Sequence, residues 1–410
     1  MVVLIILIAD PSHSSTASSQ AMNLITNVVP DHTNFCHQST VIKVGQIPNK
    51  HPFRPVVCPP TLPQEASDNM SSTQSQQTIV VVGATGIQGS GVVRALLDAE
   101  YGGPWFVRAL TSDPCSGKAQ KLLSECQTTN HWLSLVSGSV YDEISLRSAF
   151  TGAHGVYAMT SERHPGKIIT EEEDLKHEIE AGRNIISAAK ECGVKHLVFS
   201  SLPDIVKASG GRFKRIHHMN NKYAVEQLAR KKLNGFTSLM PGFFYANLAW
   251  PKYCRLREDG VVQFCMPLPG SQPVQWTDPA HDLGAFSAKI FGLGVERTKG
   301  RTYLALGPRI TPEAMAKTFT HVTGKPAVHS PISFEEFGDL SSSLVGPAFK
   351  EDAIEMMQWA AIAPVDKTCY GAFEIEVEQS SEELGLTGSS FEDWLRRSGW
   401  TGPQEVYAAN

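Results

Sequence analysis

Thr78-Ile79-Val80-Val81-Val82-Gly83-Ala84-Thr85-Gly86-Ile87-Gln88-Gly89 is an apolar, β-branched run that ends in three glycines at three-residue spacing and then turns helical. It reads as the first strand, phosphate loop and first helix of a dinucleotide-binding sheet. Gly83 makes the tight turn off the strand, Gly86 clears space where backbone N–H groups approach a pyrophosphate, and Gly89 lets the helix lie close to the strand. The anion would rest on the helix N-terminus, where unpaired amides and the macrodipole both favour negative charge. Glycine-rich turns also end strands that bind nothing. Here the apolar positions Val92, Val93, Ala95, Leu96 and Leu97 continue as an amphipathic helix, so loop and context agree.

Working outward, the chain alternates strand-like and helix-like segments from Gln76, the pattern of parallel βαβ units. Strands are expected at Trp105 to Thr111, Trp132 to Gly138, Gly155 to Met159, Lys195 to Ser201 and Phe236 to Met240. Helices are expected from Leu175 to Cys192, with Gly193 as its C-cap, and from Tyr223 to Lys232. After Gly242 prolines multiply and the alternation decays. The fold class expected is therefore α/β, a doubly wound, mostly parallel sheet over residues 76–242, with residues 243–410 forming a smaller α+β subdomain over the carboxyl ends of the strands. Residues 1–75 differ in kind. Beyond the apolar run Val2 to Ala9 they are rich in Ser, Thr, Gln, Asn, His and Pro without any period, the composition of a disordered extension. The apolar run resembles part of a signal peptide, but it lacks a basic flank and is too short to span a bilayer.

Bulk composition excludes more than it identifies. The 410 residues are 41% hydrophobic and 19% charged, with a net charge of −5. Lys and Arg are scattered, so no electrostatic footprint for nucleic acid is present. The eight cysteines show no CxxC pair and no metal-ligand spacing. They read as isolated thiols of a reducing compartment, and the expectation is a cytoplasmic protein with no metal site and no membrane association.

Several ordered motifs together resemble the NmrA-like family of atypical short-chain dehydrogenases/reductases. They are the glycine loop, Val107-Arg108-Ala109-Leu110-Thr111-Ser112-Asp113-Pro114, Leu197-Val198-Phe199-Ser200-Ser201-Leu202-Pro203, and Met240-Pro241-Gly242-Phe243-Phe244-Tyr245-Ala246-Asn247-Leu248. The likeness extends through Asp278-Pro279-Ala280-His281-Asp282-Leu283-Gly284 to Phe391-Glu392-Asp393-Trp394-Leu395, covering nearly everything from Gln76 to about Gly402. It implies an NAD(P)-binding Rossmann fold with a small C-terminal subdomain. It implies less about activity, since the family holds both reductases and cofactor-sensing regulators.

The resemblance also distributes roles. The loop Gly83 to Gly89, with Ala84, Thr85, Ile87 and Gln88, would bind the pyrophosphate. Ser112 and Asp113 occupy the second-strand turn that chooses between cofactors, where relatives that prefer NADP carry an arginine. The nearest cations here are Arg108, inside the strand, and Lys118. The resemblance places NADP ahead of NAD, and Asp113 reads equally as a turn-initiating residue before Pro114. Ser139 stands where an aspartate usually meets the adenine edge, beside Val140, and Asp142 reads as a helix N-cap. Thr160 and Ser161 would lie beside ribose or nicotinamide. Phe243, Phe244 and Tyr245 resemble the loop against the nicotinamide, and suit an ordinary core as well.

Chemistry would be carried by His217-His218-Met219-Asn220-Asn221-Lys222-Tyr223. Short-chain dehydrogenases place a tyrosine four residues before a lysine on one helical face, and here His218 takes the tyrosine place and Lys222 the lysine place. Lys222 can hold the ribose. His218 can transfer a proton, given the usual near-neutral imidazole pKa, or else merely occupy a solvated helix start. Ser200 and Ser201 lie where this fold class keeps a substrate-orienting hydroxyl, or they satisfy backbone groups at a strand end. The reading that results is an NADP-dependent oxidoreductase moving hydride between nicotinamide and a carbonyl or imine of a small compound, an activity the family associates with specialised metabolites. The competing reading is a non-catalytic NADP(H) sensor that acts through a regulatory protein partner.

Overall fold

The computed structural model describes residues 77–103, 105–126 and 132–408, except the side chains of Leu344 and Val377; the extension expected over residues 1–75 lies outside the described residues. Seven strands form one sheet: β1 (Thr78–Val82), β2 (Phe106–Thr111), β3 (Leu133–Ser137), β4 (Gly155–Ala158), β5 (His196–Ser200), β6 (Phe236–Pro241) and β7 (Thr302–Ala305). Their order across the sheet is 3-2-1-4-5-6-7, and every neighbouring pair is parallel. This is the doubly wound Rossmann arrangement, which reverses direction between β1 and β4 and opens a crevice at their carboxyl ends.

Strand β1 shows why the run is apolar at every position. Ile79 and Val81 pack into one core with Val92, Val93 and Leu96 of α1 (Ile87–Leu97), whereas Val80 and Val82 pack into another on the opposite face. That second core is completed by α3 (Glu143–Phe150), α4 (His177–Glu191) and α5 (His217–Lys232). A strand covered on both faces needs apolar residues in both phases of its pleat. The helix α2 (Gly117–Cys126) follows β2.

The sheet does not end with β6. After residue 242 the chain returns as α6 (Asp282–Leu293), whose Leu283, Phe286 and Ile290 share the core of α1, and then adds β7 beside β6. A division at residue 242 therefore does not separate the sheet from the rest of the chain. Beyond the strand ends lies an aromatic-rich layer that includes Tyr245, Trp276, Phe319, Phe337 and Trp394. It contains α7 (Phe334–Val345), α8 (Lys350–Ile362) and α9 (Phe391–Ser398). Helix α5 extends beyond its expected start at Tyr223, beginning at His217, and Ile216 and Met219 at its start belong to this second layer. One helix thus carries residues from the sheet to the covering layer.

Helices α1 and α6 cross at glycines. A Cβ on Gly91 would stand 2.2 Å from the Ala280 carbonyl oxygen, and one on Gly284 would stand 2.5 Å from the Gly91 oxygen. Both obstacles are backbone and cannot rotate away. Gly91→Ala is therefore expected to destabilise the protein by about 1–3 kcal/mol, the usual penalty for overpacking a filled core, seen as a lower urea midpoint. An unchanged midpoint would mean that the helices part without cost.

Candidate active site

The glycine loop has the backbone its sequence predicts. Gly83 sits at φ +69°, the left-handed region that favours glycine. A Cβ on Gly89 would lie 2.2 Å from the Gly83 oxygen, so α1 leaves the strand as closely as its backbone allows. The N-cap position of α1 is Gly86, with no side chain capping the helix, which leaves the first-turn amides open to an anion. Beside the loop is an open cleft of about 230 Å³. Its walls include Gly83, Thr85, Ser112, Ser139, Val140, Thr160 and Ser161, brought together from the ends of β1, β2, β3 and β4. The curvature and open amides fit a pyrophosphate-bearing dinucleotide.

Other expected contacts face elsewhere. Ala84 is fully buried, and Gln88 turns under the loop, where its Oε1 accepts hydrogen bonds from Tyr157 Oη (3.2 Å) and Ser200 Oγ (2.9 Å). Ser200 is thereby committed to the sheet interior. Ser201 is also buried, with its hydroxyl 3.5 Å from the Leu202 and Lys222 carbonyl oxygens. Asp113 accepts the Cys115 N–H at 2.9 Å, the local turn bond of the simpler reading. Arg108 does not reach the turn: it donates to the carbonyls of Ala149 (3.0 Å) and Thr151 (2.6 Å) at the end of α3. Asp142 caps α3 through the N–H groups of Ile144 and Ser145.

Lys222 is buried against Glu178 of α4, in direct ion-pair contact. Thr160, on the wall of the cleft, donates to the same carboxylate oxygen at 2.8 Å. A line of three residues, Thr160, Glu178 and Lys222, thus runs from the cleft into the core. Nothing in the sequence marks Glu178 for this role, because a single acidic residue inside a helix carries no signal of its burial.

One helical turn before Lys222, His218 is also buried, so it is no solvated helix start. Its Nδ1 is in close contact with Asp352 Oδ1, and its backbone N–H donates to Asp352 Oδ2 at 2.8 Å. Burial pushes the imidazole pKa well below its ordinary value, reinforced by the Lys222 and Lys252 charges, and raises the Asp352 carboxyl to about 7. The near-neutral imidazole pKa expected from the sequence therefore does not hold for His218 by itself; the dyad titrates as a unit. With Nδ1 committed to Asp352, Nε2 is the ring nitrogen left for a small cavity, of about 20 Å³, that His218 lines with Phe243, Phe244, Asn247, Lys252 and Tyr253. Tyr245 lies apart from it, stacked on Trp276 and Trp394 at 5.5 and 5.4 Å between ring centroids. Asp352 lies 134 residues along the chain from its partner, a separation no local motif spans.

Comparison with known proteins gives the family. The model of the NmrA-like family matches residues 75–395. The chain belongs to the NmrA-like family. Among its relatives in that family, an NmrA-like family domain-containing oxidoreductase of Cladobotryum is 30% identical over 63% of this chain and 78% of its own. Another such oxidoreductase, from Malbranchea aurantiaca, is 31% identical over 62% and 74%. Among solved structures, NmrA, a negative transcriptional regulator in complex with NADP, shares the fold with a TM-score of 0.62 at 20% identity, covering 79% of this chain and 95% of that one.

Among the described residues no group of His, Cys, Asp and Glu could hold a metal ion, and no helix is long and apolar enough to cross a membrane. What the arrangement offers is an anion-binding loop, a buried ion pair and a histidine–carboxylate dyad on one helix. Glu178→Gln would leave the Lys222 charge buried without its counter-charge. It should lower stability by about 3–5 kcal/mol, read as a drop in the urea midpoint, and adding Lys222→Met should recover most of that loss. A midpoint unmoved by Glu178→Gln would mean that the pair holds nothing together.

Proposed function

We propose that the protein is an NADP(H)-dependent oxidoreductase acting on a carbonyl or imine of a small compound, in keeping with the oxidoreductase names of its relatives. The observation that carries this reading is the His218–Asp352 dyad on the wall of a cavity, one turn from Lys222 on the same helix. A place in specialised metabolism belongs to the same proposal and rests on the family association alone.

In this account the Gly83 to Gly89 loop and the open first turn of α1 bind the pyrophosphate. Thr85, Ser112, Ser139, Val140, Thr160 and Ser161, which line the cleft, would hold the rest of the dinucleotide. Lys222 has N–H donors beyond the one given to Glu178 and holds the ribose. When bound, reduced NADP supplies a hydride from its nicotinamide ring. Phe243 and Phe244 keep water from the substrate carbon. His218 delivers the proton to the substrate oxygen or nitrogen through Nε2, while the proton between Nδ1 and Asp352 moves onto Nδ1. In the proton-loaded form the dyad carries no net charge, the form that burial favours.

Reduction needs the loaded dyad, which is populated below about pH 7 and lost as pH rises through the Asp352 pKa of about 7. Turnover in the reducing direction should fall across that range, and Asp352→Asn should abolish the inflection. His218→Phe should slow turnover by roughly a hundredfold or more, the scale of a lost general acid, with NADPH affinity little changed. Full turnover by His218→Phe would remove the histidine from the mechanism. Tight NADPH binding with no turnover on any carbonyl or imine substrate would favour the sensor.

A further inference from the structure

Among the described residues that line the cofactor cleft, one carries a charge, and it is Arg163 in the loop after β4. Its side chain makes no hydrogen bond or ion pair with any described residue, and Nε and Nη2 are buried without a partner. Nη1 is the nitrogen left accessible. What holds the guanidinium is the buried ring of Trp250, whose centroid lies 5.2 Å from the guanidinium carbon. A ring face returns part of the lost hydration, but the N–H donors of the fork still lack acceptors. Burial lowers the Arg163 pKa, and the field of Glu162 opposes that shift.

The loop that carries this cation is fixed on both sides. The Arg163 N–H donates to Ser161 Oγ at 3.1 Å, a local turn bond. His177, the first residue of α4, donates through Nε2 to the Glu162 carbonyl at 3.1 Å and accepts the Tyr141 hydroxyl on Nδ1 at 2.8 Å. Tyr141 in turn packs on His164, with 4.5 Å between ring centroids, and lines the cleft itself. Arg163 is therefore held at the cleft before any ligand arrives, which spares the ordering cost of a long side chain on binding.

We propose that Arg163 is the counter-charge for the pyrophosphate of the bound dinucleotide, supplied from outside the glycine loop. The open first turn of α1 offers amides and roughly half an elementary charge, which leaves a pyrophosphate dianion largely uncompensated. A guanidinium fork matches phosphate oxygens in both charge and geometry. Topology favours this phosphate group over the 2′-phosphate. The glycine loop leaves β1, and Arg163 approaches from β4 on one flank, whereas the turn with Ser112 leaves β2 on the other. Arg163 should accordingly serve NAD and NADP alike. The proposal rests on the dinucleotide reading of the cleft, which the oxidoreductase and the sensor share.

The test is calorimetric titration of the full chain with NADP⁺, NAD⁺ and ADP-ribose, all of which carry the pyrophosphate. Arg163→Gln is expected to weaken all three by a similar factor, roughly ten- to a hundredfold, the scale of a hydrogen bond to a charged group. Added salt should weaken NAD⁺ binding less steeply in Arg163→Gln than in the unsubstituted chain, because screening has one charge fewer to act on. Arg163→Lys disturbs the packing on Trp250 as well but keeps the charge, so it should recover part of the affinity and the steeper salt dependence. A loss confined to NADP⁺ would move Arg163 to the 2′-phosphate, and a loss that spares ADP-ribose would move it to the nicotinamide end; either overturns the proposal. Unchanged affinities, or a loss with an unaltered salt dependence that Arg163→Lys does not relieve, would leave Arg163 only a prop for Trp250. An unsubstituted chain that binds none of the three overturns the reading of the cleft and the proposal with it. The expected pattern of binding without any turnover upholds Arg163 while counting against the oxidoreductase.

Discussion

The buried contact between Lys222 and Glu178 is the constraint on which the site depends. It ties α5 to α4 directly behind the cleft, and through Thr160 it reaches the cleft wall itself. A second buried pair, His218 with Asp352, ties the preceding turn of α5 to α8 in the covering layer. Removing either acid would leave a buried polar group uncompensated, so neither helix can rotate about α5 without a large cost. Hydrogen bonds from Arg215 to Glu351 and Glu355, just before α5, fasten the same joint from outside. Position along one helix thus becomes position between two compartments, with Lys222 toward the cleft and His218 toward the cavity.

The covering layer supplies what the sheet lacks. Lys252, Tyr253, Phe349 and Asp352 all come from beyond β6, and with His218 they line or adjoin a single cavity. The layer packs mainly through aromatic residues, whose large area compensates for its small strands of two or three residues. Trp250 stands where the two halves meet, with Arg163 from the cleft side and Lys252 from the cavity side both over its ring.

Most of the sheet could be read from the chain, because strands buried on both faces leave continuous apolar runs and the glycine loop marks the first turn. The strand Thr302–Ala305 could not: it lies inside a region whose proline content hides the alternation. At the site, the i to i+4 spacing of His218 and Lys222 was legible because a helix converts spacing into a shared face. Their partners were not, since Glu178 and Asp352 are ordinary acidic residues in sequence and acquire meaning only when burial takes away the solvent. Tyr245 illustrates the opposite limit. It adjoins two cavity residues in sequence, yet the turn that begins with it directs its ring into the Trp276 and Trp394 stack.

The central proposal is that the cleft and the cavity, both reached from α5, act as one site in which hydride and proton meet on the same substrate. Transfer of label from NADPH deuterated at nicotinamide C4 to a panel of small carbonyl and imine compounds, followed by mass spectrometry, tests it most directly. The account predicts a reduced product carrying one deuterium at the former carbonyl or imine carbon, formed by the unsubstituted chain and nearly absent with His218→Phe. NADPH bound in the cleft with no label reaching any carbonyl or imine compound would contradict it.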